Sequence, residues 1–166
     1  MGFSAGGHLA SIAGTLFSYY RFGKDNISKI SPHPDFMCLV YPVISTKEEL
    51  AHSCTQLLVQ NKSNKQALLN LSSELNVTKE SPPAFLVHAK DDSDVTPKNS
   101  ILMYEALKIN GIPAELKIYE KGGHGFGLGR KETDSTKWID DFLTWLSQMN
   151  FISTKRNDKK PDANDS

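Results

Sequence analysis

Close to the N-terminus, Gly2-Phe3-Ser4-Ala5-Gly6 spells G-x-S-x-G. That spacing lets a chain turn sharply from a strand into a helix and lift a serine Oγ into the open. The turn crowds the backbone, so a Cβ at either flanking glycine, Gly2 or Gly6, is expected to clash. A serine hydroxyl is a poor nucleophile at neutral pH. It needs a base within hydrogen-bond reach, and the base needs an acid to orient it. The chain carries both, in the order Ser, Asp, His. Acid candidates lie in His88-Ala89-Lys90-Asp91-Asp92-Ser93-Asp94-Val95, and the base candidate lies in Lys121-Gly122-Gly123-His124-Gly125-Phe126-Gly127.

The elements that must position these groups are legible as pattern. Residues from Ala5 to about Tyr20 have helical apolar spacing and many small side chains, suited to close packing on a sheet. Phe36–Ile44, Ala84–Ala89 and Ala114–Tyr119 are short apolar runs with little polar alternation, as expected for strands buried on both faces of a parallel sheet. Lys98–Ile109 reads as a helix stopped by Asn110-Gly111, and Asp134–Met149 as a helix whose apolar stripe includes Trp138, Phe142 and Trp145. Strands alternating with helices give an α/β class, with about three parallel strands flanked by helices. The acid and base candidates each follow a strand, where open α/β sheets place their ligands. Ser-Asp-His is also the chain order of an α/β-hydrolase.

Each feature has an unremarkable reading by itself. G-x-S-x-G arises by chance, a histidine among glycines is commonly a surface residue, and Asp91, Asp92 and Asp94 suit a solvated turn. The three features in order, each at a strand end, favour descent from a serine hydrolase. His8 reads as a residue packed or hydrogen-bonded locally on the first helix, and His88 as structural. Trp138 and Trp145 read as core. Tyr41, Pro42 and Phe126 are candidates to line a substrate cleft. Positive and negative residues balance at 19 each, so nothing favours nucleic acid or an anionic membrane. No membrane span is evident. Cys38 sits in an apolar run, Cys54 in a polar one, and no ligand cluster suggests a metal or other cofactor. Ser45–Lys79 reads as a polar excursion at the sheet's rim. Residues 1–152 are expected to form the domain and 153–166 a disordered charged tail.

Several segments together resemble a known family. They are Gly2-Phe3-Ser4-Ala5-Gly6-Gly7-His8-Leu9-Ala10, Pro34-Asp35-Phe36 with Tyr41-Pro42-Val43-Ile44, Pro82 to Ala89 with Asp91-Asp92 and Asn99-Ser100, and Tyr119 to Gly127. The chain resembles the acetylxylan esterase-like α/β-hydrolases of bacteria from about Gly2 to Leu146. The resemblance implies a nucleophile at Ser4, a base at His124 and an acid at Asp92. Asp92 is preferred to Asp91 because His88, Asp92 and Val95 fit the family's His-x-x-x-Asp-x-x-Val spacing. Thr96 separates Val95 from Pro97, where the family has Val-Pro. The Ala5 backbone N–H is implied as an oxyanion donor. A full domain of this family carries further strands and a His-Gly-Gly loop ahead of the elbow, so the chain is expected to be its C-terminal half, with Met1 an internal residue.

Two functions follow as expectations. The first is hydrolysis of a small carboxylic ester or an acetylated oligosaccharide such as acetylated xylan, without a cofactor. A prolyl oligopeptidase-type peptidase is a related alternative. The second is an inactive fragment, or a half that needs an N-terminal partner or pairs with itself through an exposed sheet edge. Compartment is not readable.

Overall fold

The computed structural model describes residues 1–17, 30–47, 49–50, 52 and 69–153. Cys54 and the expected tail from 154 onward lie outside the described residues. The elements are β1 (Gly2–Phe3), α1 (Ala5–Thr15), β2 (Met37–Val40), β3 (Ala84–Ala89), α2 (Lys98–Ile109), β4 (Ala114–Tyr119) and α3 (Trp138–Gln148), with 3-10 turns at Ser73–Leu75 and Asp134–Lys137. The strands form one parallel sheet in the order β1-β2-β3-β4.

β2 and β3 are strands with both faces covered, whereas β4, expected to be the same, is only half-buried and leaves Ile118 exposed. Along β2 and β3, Met37, Leu39, Ala84 and Leu86 point to one face, where Met103 and Leu107 of α2 pack. Cys38, Val40, Phe85, Val87 and Ala89 point to the other, against Trp138, Phe142, Trp145 and Leu146 of α3. Alternate residues therefore feed two cores, and the one polar side chain on β2 and β3, His88, is fully buried and hydrogen-bonded. Full burial of a side chain such as Phe85 is worth about 2–3 kcal/mol. Phe36, Phe85, Phe142, Trp145 and Phe151 close the second core as an aromatic cluster, with Phe36 and Phe151 ring centroids 4.9 Å apart. Burial raises the Cys38 thiol pKa to about 12, which makes it a small hydrophobe.

Several features differ from the sequence reading. A fourth strand is present, because Gly2 and Phe3 pair with Leu39 and Val40 and lead into the elbow. β2 ends at Val40 instead of Ile44: Tyr41 turns to φ 38°, which breaks the extended ladder, and Pro42 offers no N–H to continue it. The segment expected at the rim is partly core. Ser45, Ser72 and Ser73 are fully buried. The Thr46 N–H donates to Ser72 Oγ at 2.9 Å, and Ser11 and Ser73 hydroxyls bond at 2.6 Å. Polar side chains bury without penalty when each finds a partner. The last helix also begins late, its first turn being the 3-10 turn at Asp134–Lys137.

The two elbow glycines are not equivalent. A Cβ on Gly2 would lie 2.1 Å from the Gly6 carbonyl oxygen, whereas a Cβ on Gly6 would meet nothing within 4 Å. The crowding expected at Gly6 occurs at Gly7, whose Cβ would lie 2.7 Å from Pro42 Cβ. A proline ring cannot swing aside. We expect Gly2→Ala and Gly7→Ala each to lower stability by about 1–3 kcal/mol. Gly6→Ala should leave it unchanged or raise it by up to ~1 kcal/mol through helix propensity. Urea midpoints of the three variants check the ranking.

Candidate active site

Register brings the candidate groups to one end of the sheet. Phe3, Val40, Val87 and Lys117 form a single row across the four strands, so Ser4, Tyr41 and His88 leave the strands at one height. Ser4 occupies φ 51°, ψ −120°, a region that a residue with a Cβ rarely enters and that costs about 1–3 kcal/mol. Backbone bonds hold it there. Its N–H donates to the Val40 carbonyl at 3.0 Å, and its carbonyl accepts from Val43 and His8 N–H, both at 3.2 Å. The result is a half-buried hydroxyl at the head of α1. Ala5 opens that helix, and N–H groups of a first helical turn have no partner within the helix.

Ser4 Oγ lies 2.9 Å from His124 Nε2, and His124 Nδ1 lies 2.7 Å from Asp92 Oδ2. Asp92 has only acceptors when ionised, so Nδ1 carries the proton and Nε2 is free to accept from Ser4 Oγ–H. Asp92 Oδ1 accepts the N–H groups of Asp94 (3.0 Å) and Val95 (2.8 Å). Burial by itself would raise the Asp92 pKa. Hydrogen bonds from His88, the Val95 N–H and His124 outweigh it and hold the pKa down at about 2. The carboxylate is ionised at neutral pH, and the arrangement can pass a proton from a serine to an oriented imidazole.

The resemblance prefers Asp92 to Asp91, and the two carboxylates have different surroundings. Asp91 Oδ1 accepts the N–H groups of Gly122 (2.9 Å) and Gly123 (2.7 Å), while Asp134 accepts those of Glu120 (2.8 Å) and Lys121 (2.9 Å). Two carboxylates thus anchor four consecutive N–H groups leading into His124. Gly123 at φ 62° and Gly125 at φ 71° supply the left-handed turns on either side of the histidine. Beyond it, Trp138 Nε1–H donates to the Gly127 carbonyl at 2.9 Å, so this core tryptophan also fastens the loop.

Tyr41, Pro42 and Phe126 sit near the site but are buried. Tyr41 packs edge-on against His124 with ring centroids 5.0 Å apart and against Phe126 at 4.6 Å, and its hydroxyl accepts the Gly127 N–H at 3.1 Å. These contacts are to protein. Burial raises the Tyr41 pKa, so the phenol stays protonated. His52, which sequence reading passed over, stacks 6.5 Å from His124, and Arg130 Nη2 donates to the His124 carbonyl at 3.3 Å. Neither carried a motif. His8 bonds across the fold to the Leu71 carbonyl at 2.8 Å, where a local contact was expected.

The prolyl oligopeptidase family matches residues 35–150. The chain is 34% identical to an acetylxylan esterase of Xylanibacter ruminicola, over 90% of this chain and 30% of that protein. It is 35% identical to endo-1,4-beta-xylanase B of Butyrivibrio fibrisolvens, over 80% of this chain and 21% of that protein. Among solved structures it is similar to an acetyl ester-xyloside bifunctional hydrolase from Caldicellulosiruptor lactoaceticus. That similarity has a TM-score of 0.83 and 39% identity, covering 92% of this chain and 56% of the other. The chain therefore spans less than a third of the curated relatives it matches and just over half of the solved one. A family match across most of its length, on a parallel sheet that ends in an elbow serine, makes this chain a member of the prolyl oligopeptidase family, carrying part of an α/β-hydrolase fold.

Proposed function

We propose that this chain carries the nucleophile, base and acid of a serine carboxylic-ester hydrolase that removes acetyl groups from a carbohydrate such as acetylated xylan. The observation that carries the proposal is the unbroken line from Ser4 Oγ through His124 to Asp92, with steps of 2.9 Å and 2.7 Å. The sugar ester as substrate is supported by the names of the acetylxylan esterase and acetyl ester-xyloside hydrolase relatives.

In this reading, Ser4 Oγ attacks the ester carbonyl carbon as its proton passes to His124 Nε2. The carbonyl oxygen becomes an oxyanion, and the Ala5 N–H at the head of α1 donates to it. The C–O bond to the sugar breaks as His124 returns the proton to the departing alkoxide, leaving an acetyl-Ser4. A water then attacks that acyl group with the same base, which releases acetate and restores the serine. Asp92 holds the imidazole in the Nδ1–H form and balances the imidazolium that forms at each step.

Three outcomes check this. Ser4→Ala should abolish hydrolysis of p-nitrophenyl acetate, and Asp92→Asn should lower kcat by about 10⁴-fold through the wrong tautomer. Equal rates for wild type and Ser4→Ala would refute the serine reading. If turnover requires the chain to be mixed with an N-terminal segment of a relative, the triad is sound but the site is shared. Faster serine-dependent cleavage of a prolyl p-nitroanilide than of acetyl esters would assign the site to peptides instead. The low Asp92 pKa also sets an acid limit on stability. A carboxylate shifted from 3.8 to about 2 contributes about 2 kcal/mol to folding. That contribution is fully present above about pH 4 and is lost as pH falls through about 2. Denaturant melts between pH 2 and 5 should show this loss in the wild type and a flatter profile in Asp92→Asn.

A further inference from the structure

We propose that His88 is a positioning residue for the base: a buried neutral imidazole that holds the Asp92 carboxylate from behind and limits how basic His124 becomes. This inference rests on the reading of Ser4, His124 and Asp92 given above.

His88 is completely buried at the end of β3, with Asp92 between it and His124. Its Nε2 lies 2.8 Å from the Val95 carbonyl and 3.1 Å from Asp92 Oδ2. A carbonyl and a carboxylate can only accept, so Nε2 carries a proton shared between them. Nδ1 lies 2.8 Å from Ser100 Oγ on α2, and the hydroxyl can donate to it. One tautomer of a neutral ring satisfies every contact, and a fully buried ring resists charging. Asp92 Oδ2 then receives two imidazole N–H groups, from His124 at 2.7 Å and from His88 at 3.1 Å. With Asp94 and Val95 on Oδ1, four donors share a single negative charge.

The donors compete. Each hydrogen bond to Asp92 draws charge from the oxygens and weakens the field that favours the His124 imidazolium. Removing the His88 N–H leaves more of that charge facing His124, so the His124 pKa rises. Because the general base must be neutral to accept from Ser4, the acid limb of turnover moves to higher pH. The other groups facing His124 are Ser4 from the elbow, the Tyr41 phenol at the end of β2, the His52 imidazole, Arg130 on its own loop, and the Asp91 carboxylate from the loop after β3. The hydrogen bonds of His88 run to Asp92, Val95 and Ser100, so its link to His124 runs through Asp92. A fully buried ring behind the carboxylate has no route to substrate, so KM should not change.

The experiment is histidine NMR on the full chain, paired with kcat and KM for p-nitrophenyl acetate against pH. In the wild type, His88 should carry its proton on Nε2. In His88→Leu the His124 titration should move up by about half to one pH unit, with the acid limb of kcat following and KM unchanged. His88→Gln, which restores an N–H donor, should return both toward wild type. Ser100→Ala, which removes the hydroxyl that selects the tautomer, should shift His124 in the same direction by less. A wild-type His88 that carries its proton on Nδ1 overturns the proposal even if His88→Leu fails to fold. So does a His124 midpoint that stays put in a folded His88→Leu. The titration is read without turnover. A chain inactive with and without Ser4 therefore refutes the serine reading while the NMR still decides the role of His88.

Discussion

Everything at this site depends on one strained residue being held in place. Ser4 has a backbone conformation that a residue with a Cβ avoids, and it persists because three backbone hydrogen bonds fix it between β2 and α1. Those bonds exist only because β1 pairs with β2 in register, which in turn needs both faces of β2 covered. The hydroxyl is therefore aimed by the sheet and its cores. Small residues are what allow the elbow to close. Gly2 admits the Gly6 carbonyl, and Gly7 lets α1 settle against Pro42.

His124, the proposed base, is held by a different principle. His124 sits on a glycine-rich loop that has no regular structure of its own, so its position comes from side chains reaching in from other elements. Asp91 and Asp134 accept consecutive backbone N–H groups on the approach, Trp138 and Tyr41 hold Gly127 beyond, and the Tyr41 ring supports the imidazole. The neutral hydrogen bonds are worth about 1 kcal/mol net each and those accepted by a carboxylate about 1.5–3 kcal/mol. Together they turn a flexible sequence into a fixed arm. The adjacent carboxylates Asp91 and Asp92 divide the work, with Asp91 holding the loop's backbone and Asp92 the ring it carries.

Polar groups under this site are buried on the condition that each is satisfied. His88 and Ser100 are fully buried and bonded to each other, and Asn99 Oδ1 accepts the N–H groups of Ile44 and Ser45 where β2 gives way to its loop. An unpaired buried group would cost about 1–3 kcal/mol. These residues therefore lock the ends of β2, β3 and α2 to one another and set the height at which Asp92 emerges.

Sequence by itself determined the candidates for the chemistry and the order of elements. G-x-S-x-G marks the serine, and β3 and β4 fall on the residues expected of them; β3 is buried on both faces and leaves a direct trace in composition, while β4 is only partly covered. The chain order of Ser4, Asp92 and His124 is likewise read without coordinates. Tertiary structure decided what depends on distance between remote segments. It supplied what each of two adjacent carboxylates holds, His124 Nδ1 for Asp92 and the Gly122 and Gly123 N–H groups for Asp91. It ended β2 at Tyr41, where a positive φ serves the base loop and not the strand. It also drew Ser72 and Ser73 into the interior, since a polar residue's burial depends on whether a partner 26 or 62 residues away is in reach. Local pattern records which face a side chain needs. It does not record which group waits on the other side.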